Sequence, residues 1–104
     1  MARFDVYATP IRDEKHHTPF WLDVQADHLS GLSTRVVVPL RKVNPKLPPT
    51  QRLNPEFVIE GTAVFADVPN LGTTPLNLLR RPVASLRDQR QAIDDALDFL
   101  FSGF

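Results

Sequence analysis

The chain has 104 residues, of which 42% are hydrophobic, so it can form one globular domain whose core needs neither disulfides nor a metal ion. Twelve basic residues balance twelve acidic ones, which removes the positive excess typical of proteins that bind nucleic acid by themselves. Cysteine is absent, and this excludes a disulfide framework, a thiolate nucleophile and cysteine-based zinc sites.

The first residues lack the apolar segment of a secretory signal, and no hydrophobic run approaches the ~18 residues of a membrane span. We therefore expect a cytoplasmic protein without membrane association. Because no internal repeat or composition break divides the chain, residues 1–104 are expected to form a single domain.

Apolar and polar residues alternate with a period of two in residues 3–8 and again in residues 20–25, which predicts two half-buried strands. A polar loop between them contains His16 and His17. Adjacent histidines on a loop lack the spacing that aims both rings at one ion. No metal site is expected there, and no cofactor is expected elsewhere.

The β-branched residues of segment 34–40 predict a central, buried strand. Pro39 lies within this run and indicates a bulge, an edge or the end of strand pairing at that point. Residues 41–55 contain four of the ten prolines and show no period, so we expect a long loop.

Two further strands are predicted at residues 57–59 and 63–65, joined by a tight hairpin turn in which Gly61 can adopt a positive φ. A turn-rich stretch follows, and residues 75–79 are predicted to form a last short strand. These assignments give five or six short strands, too closely linked for parallel βαβ units.

The C-terminal residues predict one amphipathic helix over residues 86–101. Ser85 is a suitable N-cap, and Asp88 lies three residues later, where a capping-box acid belongs. Gly103 is expected to end the helix. The fold class is therefore α+β, mainly β: a small antiparallel barrel with a C-terminal helix.

The end of this helix departs from the usual pattern. Asp94, Asp95 and Asp98 lie in its second half, where negative charge opposes the helix dipole by ~0.3–1 kcal/mol per exposed residue. The last six residues are also rich in phenylalanine. In one interpretation Phe99 and Phe104 fold back onto the domain while the aspartates form a solvated face; in the other, acid and exposed aromatic groups form a docking surface.

Sequence motifs for catalysis are absent: there is no nucleophile elbow, zinc-protease motif or phosphate-binding loop. Asp94 and Asp98 lie one helical turn apart and could form a coupled carboxylate pair or a solvated acidic face. Arg80 and Arg81 could hold a phosphate or simply end a strand in water. These residues leave open the alternative of an endoribonuclease that needs only arginine and one acid.

Four segments resemble the CcdB family of toxins in order and spacing. They are residues 3–7 (RFDVY), residues 23–27 (DVQAD), residues 34–40 (TRVVVPL) and the terminal residues 93–104 with their Ser-Gly-Phe ending. The resemblance extends over nearly the full length. It implies a homodimer of an SH3-like barrel with a C-terminal helix.

The function that the resemblance implies is that of a type II toxin, associated with plasmid maintenance, that inhibits a topoisomerase without being an enzyme. Such a toxin binds the A subunit of bacterial DNA gyrase, traps the cleaved DNA complex and is neutralised by a disordered CcdA-like antitoxin tail. Direct contact with nucleic acid is not expected outside the antitoxin complex.

The resemblance also assigns binding residues. The gyrase-binding set is Asp98, Phe101, Ser102, Gly103 and Phe104, and the antitoxin-binding set is His28, Leu29, Asp98 and Phe101. Ser102 occupies the position of a tryptophan in the best-known family member. Two alternatives remain: a ribosome-independent endoribonuclease toxin of the related barrel family, in which loops and arginines would act, and an inactive chromosomal homologue.

Overall fold

A curved antiparallel sheet and one helix make up the computed structural model, which describes residues 2–29, 31–44, 46 and 52–103. The elements in chain order are β1 (Asp5–Ala8), β2 (Phe20–Asp23), β3 (Thr34–Lys42), β4 (Glu56–Ile59), β5 (Thr62–Ala66), β6 (Gly72–Pro75), β7 (Ala84–Ser85) and α1 (Arg90–Ser102). All strand pairs are antiparallel, in the order β4-β5-β3-β2-β1-β7 with β6 also on β3. The sheet curls into a nearly closed barrel, which confirms the predicted fold class.

Strand β3 is the centre of this sheet. One of its edges pairs with β2, whereas the other pairs first with β6, up to Val37, and then with β5, from Leu40 onward. Pro39 lies in the gap between these two partners, where its missing N–H interrupts no ladder, and its carbonyl accepts a hydrogen bond from Asp67 N at 2.9 Å. The predicted end of pairing at Pro39 therefore applies to one edge, while the strand itself continues to Lys42.

The hairpin between β4 and β5 forms as the sequence predicts. Ile59 pairs with Thr62, and the two intervening residues both have positive φ, 50° at Glu60 and 79° at Gly61. Positive φ at both central positions defines a type I′ turn, whose twist matches that of the flanking strands.

The main core lies between the inner face of the barrel and helix α1. Ile93 and Ala96 are fully buried against the strands, and Leu97 and Leu100 pack partly against the same cluster. A smaller cluster on the other face of the sheet contains Tyr7, Val37, Leu79 and Trp21. Strands β1 and β2 are thus covered on both faces near Tyr7, so the predicted half-buried character is wrong there.

Two predicted strands differ from the structure: the first strand and the strand predicted at residues 75–79. The first strand begins at Asp5 and not at residue 3, because Phe4 has a φ of 75°, outside the extended region. The predicted strand 75–79 is instead the end of β6 at Pro75 followed by a 3-10 turn, Leu76–Leu78.

The helix also begins later than predicted. Ser85 lies in β7 and pairs with Asp5 of β1. A 3-10 turn then spans Arg87–Gln89, and α1 starts at Arg90. The Ser85 hydroxyl accepts a hydrogen bond from Arg87 N, at the start of the 3-10 turn, at 3.2 Å, and it does not cap α1. Tertiary pairing with β1 thus overrides the local capping signal. No helix among the described residues has the length and apolar character needed to cross a membrane.

Candidate partner-binding surface

The last turn of α1 presents an apolar side chain to solvent. Phe101 is 72% exposed, and Ser102 and Gly103 are exposed beside it. Gly103 ends the helix as predicted: its φ is 75°, and its N–H donates to the carbonyl of Phe99 at 2.9 Å. A left-handed residue at this position suits glycine because it has no Cβ. Phe104 lies outside the described residues, and its predicted role is not tested.

The three aspartates of the helix differ in their surroundings. Asp94 is half-buried and accepts a hydrogen bond from Arg3 Nη2 at 2.8 Å, whereas Asp95 is exposed and bonds to Gln91 on its own helix. Asp98 is exposed, and its side chain forms no hydrogen bond or ion pair with a described residue. The helix thus has a solvated acidic group next to Phe101, while the carboxylate of Asp94 is directed to an arginine.

Phe99 behaves differently from Phe101. It is half-buried, and the guanidinium of Arg52 lies 4.1 Å from the centre of its ring. A cation over an aromatic face is attractive by about 0.5–1 kcal/mol at a partly exposed site. Of the two residues expected to fold back onto the domain, Phe99 therefore does so in part, whereas Phe104 lies outside the described residues.

The second predicted contact, His28 and Leu29, lies on the 3-10 turn Asp27–Leu29, and both side chains are exposed. Gln25 holds this turn in place. Its side-chain Nε2 donates to Leu29 O at 3.1 Å, and its Oε1 accepts from Val36 N at 3.1 Å. A buried glutamine thus ties the turn to β3, so that His28 and Leu29 project from a fixed backbone.

A buried ion pair contacts the backbone of Gln25, just before this turn. The Arg35 guanidinium donates to Asp23 through Nε at 2.8 Å and through Nη2 at 2.9 Å, and neither side chain has solvent exposure. Burial raises the pKa of the Asp23 carboxyl, and the hydrogen bonds from Arg35 and from Gln25 N oppose this rise. The two motif segments DVQAD and TRVVVPL therefore meet inside the fold.

Sequence reasoning missed this ion pair. The available signal was a charge inside each of two otherwise apolar strands, with Asp23 between Leu22 and Val24 and Arg35 directly before three valines. A charge is almost never fully buried without a partner. One unpaired charge in each buried strand could therefore have suggested that the two meet.

Arg3 connects the two predicted contact regions. Its backbone N donates to Asp27 Oδ1 at 2.7 Å, and its guanidinium donates to Val24 O at 3.0 Å and to Asp94 at 2.8 Å. The turn bearing His28 and Leu29 is thereby linked to α1, one helical turn before Asp98. Among the described residues, no hydrogen bond or ion pair joins His28 or Leu29 directly to Asp98 or Phe101.

The remaining candidates lie elsewhere. His16 and His17 are exposed with their rings 4.6 Å apart, and the described residues contain no group of three or more potential ligands for a metal ion. Arg80 and Arg81 line a separate pocket, together with Lys15, at the end of β1.

A family model described as CcdB protein matches residues 3–103, nearly the whole chain. No curated protein matches the chain.

Proposed function

The chain belongs to the CcdB family, whose members are toxins of toxin–antitoxin systems, and we propose that it binds the A subunit of bacterial DNA gyrase and traps the cleaved DNA complex. Trapping requires a contact surface and no bond-making machinery in the toxin itself. In this proposal the protein is therefore an inhibitor and not an enzyme. Since gyrase acts on chromosomal DNA, the toxin would act in the cytoplasm.

The observation that carries this proposal is the 72% exposure of Phe101 at the end of α1. Large apolar groups exposed at the tip of an element are typical of protein contacts, and aromatic anchors contribute a large share of interface energy. Asp98 precedes it by three residues and supplies a charge with no described partner. A charge beside an aromatic anchor would fix the orientation of a bound protein.

The surface lies on a helix that is packed against the barrel, which favours tight binding. Ile93 and Ala96 fix the helix against the barrel, and the left-handed Gly103 closes its last turn. A contact surface that is already ordered loses little conformational entropy on association. The proposed gyrase contact comprises Asp98, Phe101, Ser102 and Gly103, with Phe104 as the adjoining terminal residue.

We propose that a disordered antitoxin segment neutralises the toxin by covering part of the same surface. Its contacts would be His28 and Leu29 on the turn together with Asp98 and Phe101 on the helix. Because Asp98 and Phe101 would serve both partners, the two complexes would be mutually exclusive. The Arg3 bridge between the turn and the helix would keep the two halves of the antitoxin contact in a fixed relation.

The proposal includes a homodimer. An exposed apolar helix end is costly for an isolated chain, and two such ends near a twofold axis would form one larger contact surface. The dimer is an expectation from the family.

The test compares two exposed apolar residues of similar accessibility. Phe101→Ala should weaken binding to the purified gyrase A subunit by ~2 kcal/mol or more, in the range of an interface hot spot. Val58→Ala, on β4 and 68% exposed, is the matched control and should bind as the unaltered protein does. Binding is measured by calorimetry, trapping by the yield of cleaved DNA, and toxicity by growth arrest on expression.

Removal of residues 102–104 separates the alternatives. Loss of gyrase binding with an intact fold supports the proposal, whereas unchanged poisoning by the shortened chain and by Phe101→Ala contradicts it. Cleavage of RNA by the purified shortened chain would identify an endoribonuclease. A folded protein that is harmless on expression and does not bind gyrase would be the inactive homologue.

A further inference from the structure

A concave pocket of about 400 Å³ lies at the end of β1, and its lining shares no residue with the proposed gyrase contact. The 3-10 turn Leu76–Leu78 and the segment that follows it form one side, and Tyr7 and Lys15 contribute from the other part of the chain. This volume falls within the ~300–1,000 Å³ of small-molecule sites.

The charge of the lining is strongly one-sided. Lys15, Arg80 and Arg81 all line the pocket, and no acidic residue among those described does. All three are exposed, and their side chains form no hydrogen bond or ion pair with a described residue. In a chain of zero formal charge, three unpaired cations around one concavity are a local excess that favours an anion.

The residue types favour an oxyanion over a simple halide, and the presence of three cations favours a doubly charged phosphate over a singly charged carboxylate. Two guanidinium groups can each donate two parallel hydrogen bonds to a tetrahedral oxyanion, and a lysine adds a point charge. The side-chain amide of Asn77, an exposed residue in the same lining, offers a further donor. The three cations could therefore balance the two negative charges of a phosphate monoester.

An apolar part of the lining adjoins these cations. Leu78 is 43% exposed, and Pro10 lies beside the same cavity. An exposed leucine next to cationic groups suits a ligand that joins a phosphate to an apolar or aromatic ring system. Single-stranded nucleic acid would need a groove longer than this pocket, with several stacking side chains along it.

We propose that this pocket binds the phosphate group of a small phosphorylated molecule of about mononucleotide size. Arg80, Arg81 and Lys15 hold the phosphate, while Leu78 and Pro10 contact the rest of the ligand. The site is independent of the gyrase contact, and it remains valid if gyrase binding fails.

The experiment titrates the full chain with inorganic phosphate, adenosine monophosphate, adenosine and a short single-stranded RNA, followed by calorimetry and by amide NMR shifts. The monophosphate should bind about ten-fold more tightly than inorganic phosphate, and adenosine should bind at least about ten-fold more weakly than the monophosphate. Shifts should centre on the segment that follows the Leu76–Leu78 turn.

Two double variants with the same loss of charge test the location. Arg80→Gln with Arg81→Gln should weaken monophosphate binding at least about ten-fold, because two charge-assisted contacts are lost. Arg87→Gln with Arg90→Gln removes two exposed arginines outside the pocket and should leave binding unchanged. Thermal unfolding checks that each variant is folded.

Three results would overturn the proposal. The first is no measurable binding of either phosphate compound at millimolar concentration. The second is an equal loss of binding in both double variants, which would indicate a general charge effect. The third is RNA binding far tighter than that of the monophosphate with shifts spread beyond the pocket, which would indicate a nucleic-acid contact.

Discussion

At the scale of single residues, the motif positions separate into those that build the fold and those that are free for a partner. Asp23 and Arg35 have no solvent exposure and bond only inside the protein. Removal of one partner from a buried ion pair costs roughly 3–5 kcal/mol, a large part of the stability of a small domain. Loss of toxicity on substitution of either residue would therefore report unfolding, whereas the exposed Phe101 can report binding.

Tyr7 gives a test of the second core cluster through pH. Burial, reinforced by the negative charges of Asp5 and Asp23, raises the pKa of Tyr7 from 10.0 to about 12. Between these values the unfolded chain loses the phenolic proton while the folded chain keeps it, so folding is progressively disfavoured as the pH rises. The stabilising contribution is complete below pH 10 and is lost as the pH rises through about 12.

The measurement compares urea unfolding of the unaltered protein with that of Tyr7→Phe at a series of alkaline pH values. The free energy of unfolding should fall more steeply above pH 10 in the unaltered protein than in Tyr7→Phe. Because Tyr7 is the single tyrosine of the chain, tyrosinate absorbance reports its ionisation directly. Ionisation of the folded protein at the ordinary pKa would contradict the buried environment of the hydroxyl.

At the scale of elements, helix α1 depends on contacts outside itself for its position. Its N-terminus has no side-chain cap, and the sheet pairing of Ser85 with Asp5 fixes where the preceding chain enters. Arg3 then holds the middle of the helix through Asp94. The direction of the proposed contact surface thus follows from packing and from one ion pair more than from helix propensity.

Asp94 and Asp95 form a matched pair for testing this role of Arg3. Both are aspartates in the same half of the helix, so replacement by alanine changes charge, helix propensity and dipole interaction almost equally. Asp94→Ala removes the partner of Arg3, whereas Asp95→Ala removes only an exposed hydrogen bond from Gln91, and we expect Asp94→Ala to be the less stable by about 0.5 kcal/mol. Chemical denaturation of the two variants measures the difference, and equal stabilities would show that the ion pair contributes no more than that exposed hydrogen bond.

The sequence predicts those elements in which local pattern and tertiary environment agree. Alternation located β2, and the Glu60-Gly61 pair located the hairpin, because both signals are complete within a few residues. The same reasoning failed where a residue distant in sequence determines the local structure. Ser85 caps no α-helix because it pairs with β1. Phe4 has a positive φ, and its backbone bonds to Asp23 O and Leu86 N. Such partners are invisible in a local window.

The candidate site shows the same division. The exposed aromatic Phe101 could be anticipated in part, because its segment combines several phenylalanines with acidic residues. The Arg3 bridge could not, because it joins residues 91 positions apart. The local sequence offers Arg80 and Arg81 as a pair that could hold a phosphate, but the contribution of Lys15 to the same pocket arises from the fold.

At the scale of the whole molecule, the cationic pocket and the exposed apolar end of α1 are two separate surfaces. The cationic pocket draws its lining from residues 7–15 and 77–81, whereas the proposed gyrase contact comes from the last turn of α1. The two sets share no residue and lie on different elements. Effects at such independent sites are additive to within about 0.5 kcal/mol when no partner is shared.

This separation predicts independent losses in a double-variant cycle. Arg80→Gln with Arg81→Gln should weaken monophosphate binding at least about ten-fold and leave the affinity for gyrase unchanged, whereas Phe101→Ala should weaken gyrase binding and leave monophosphate binding unchanged. The combined variant should show both losses, each within about twofold of its separate value. A gyrase affinity that depends on the two arginines, or on added monophosphate, would mean that pocket and helix end are coupled, since linkage requires each ligand to alter the binding of the other equally.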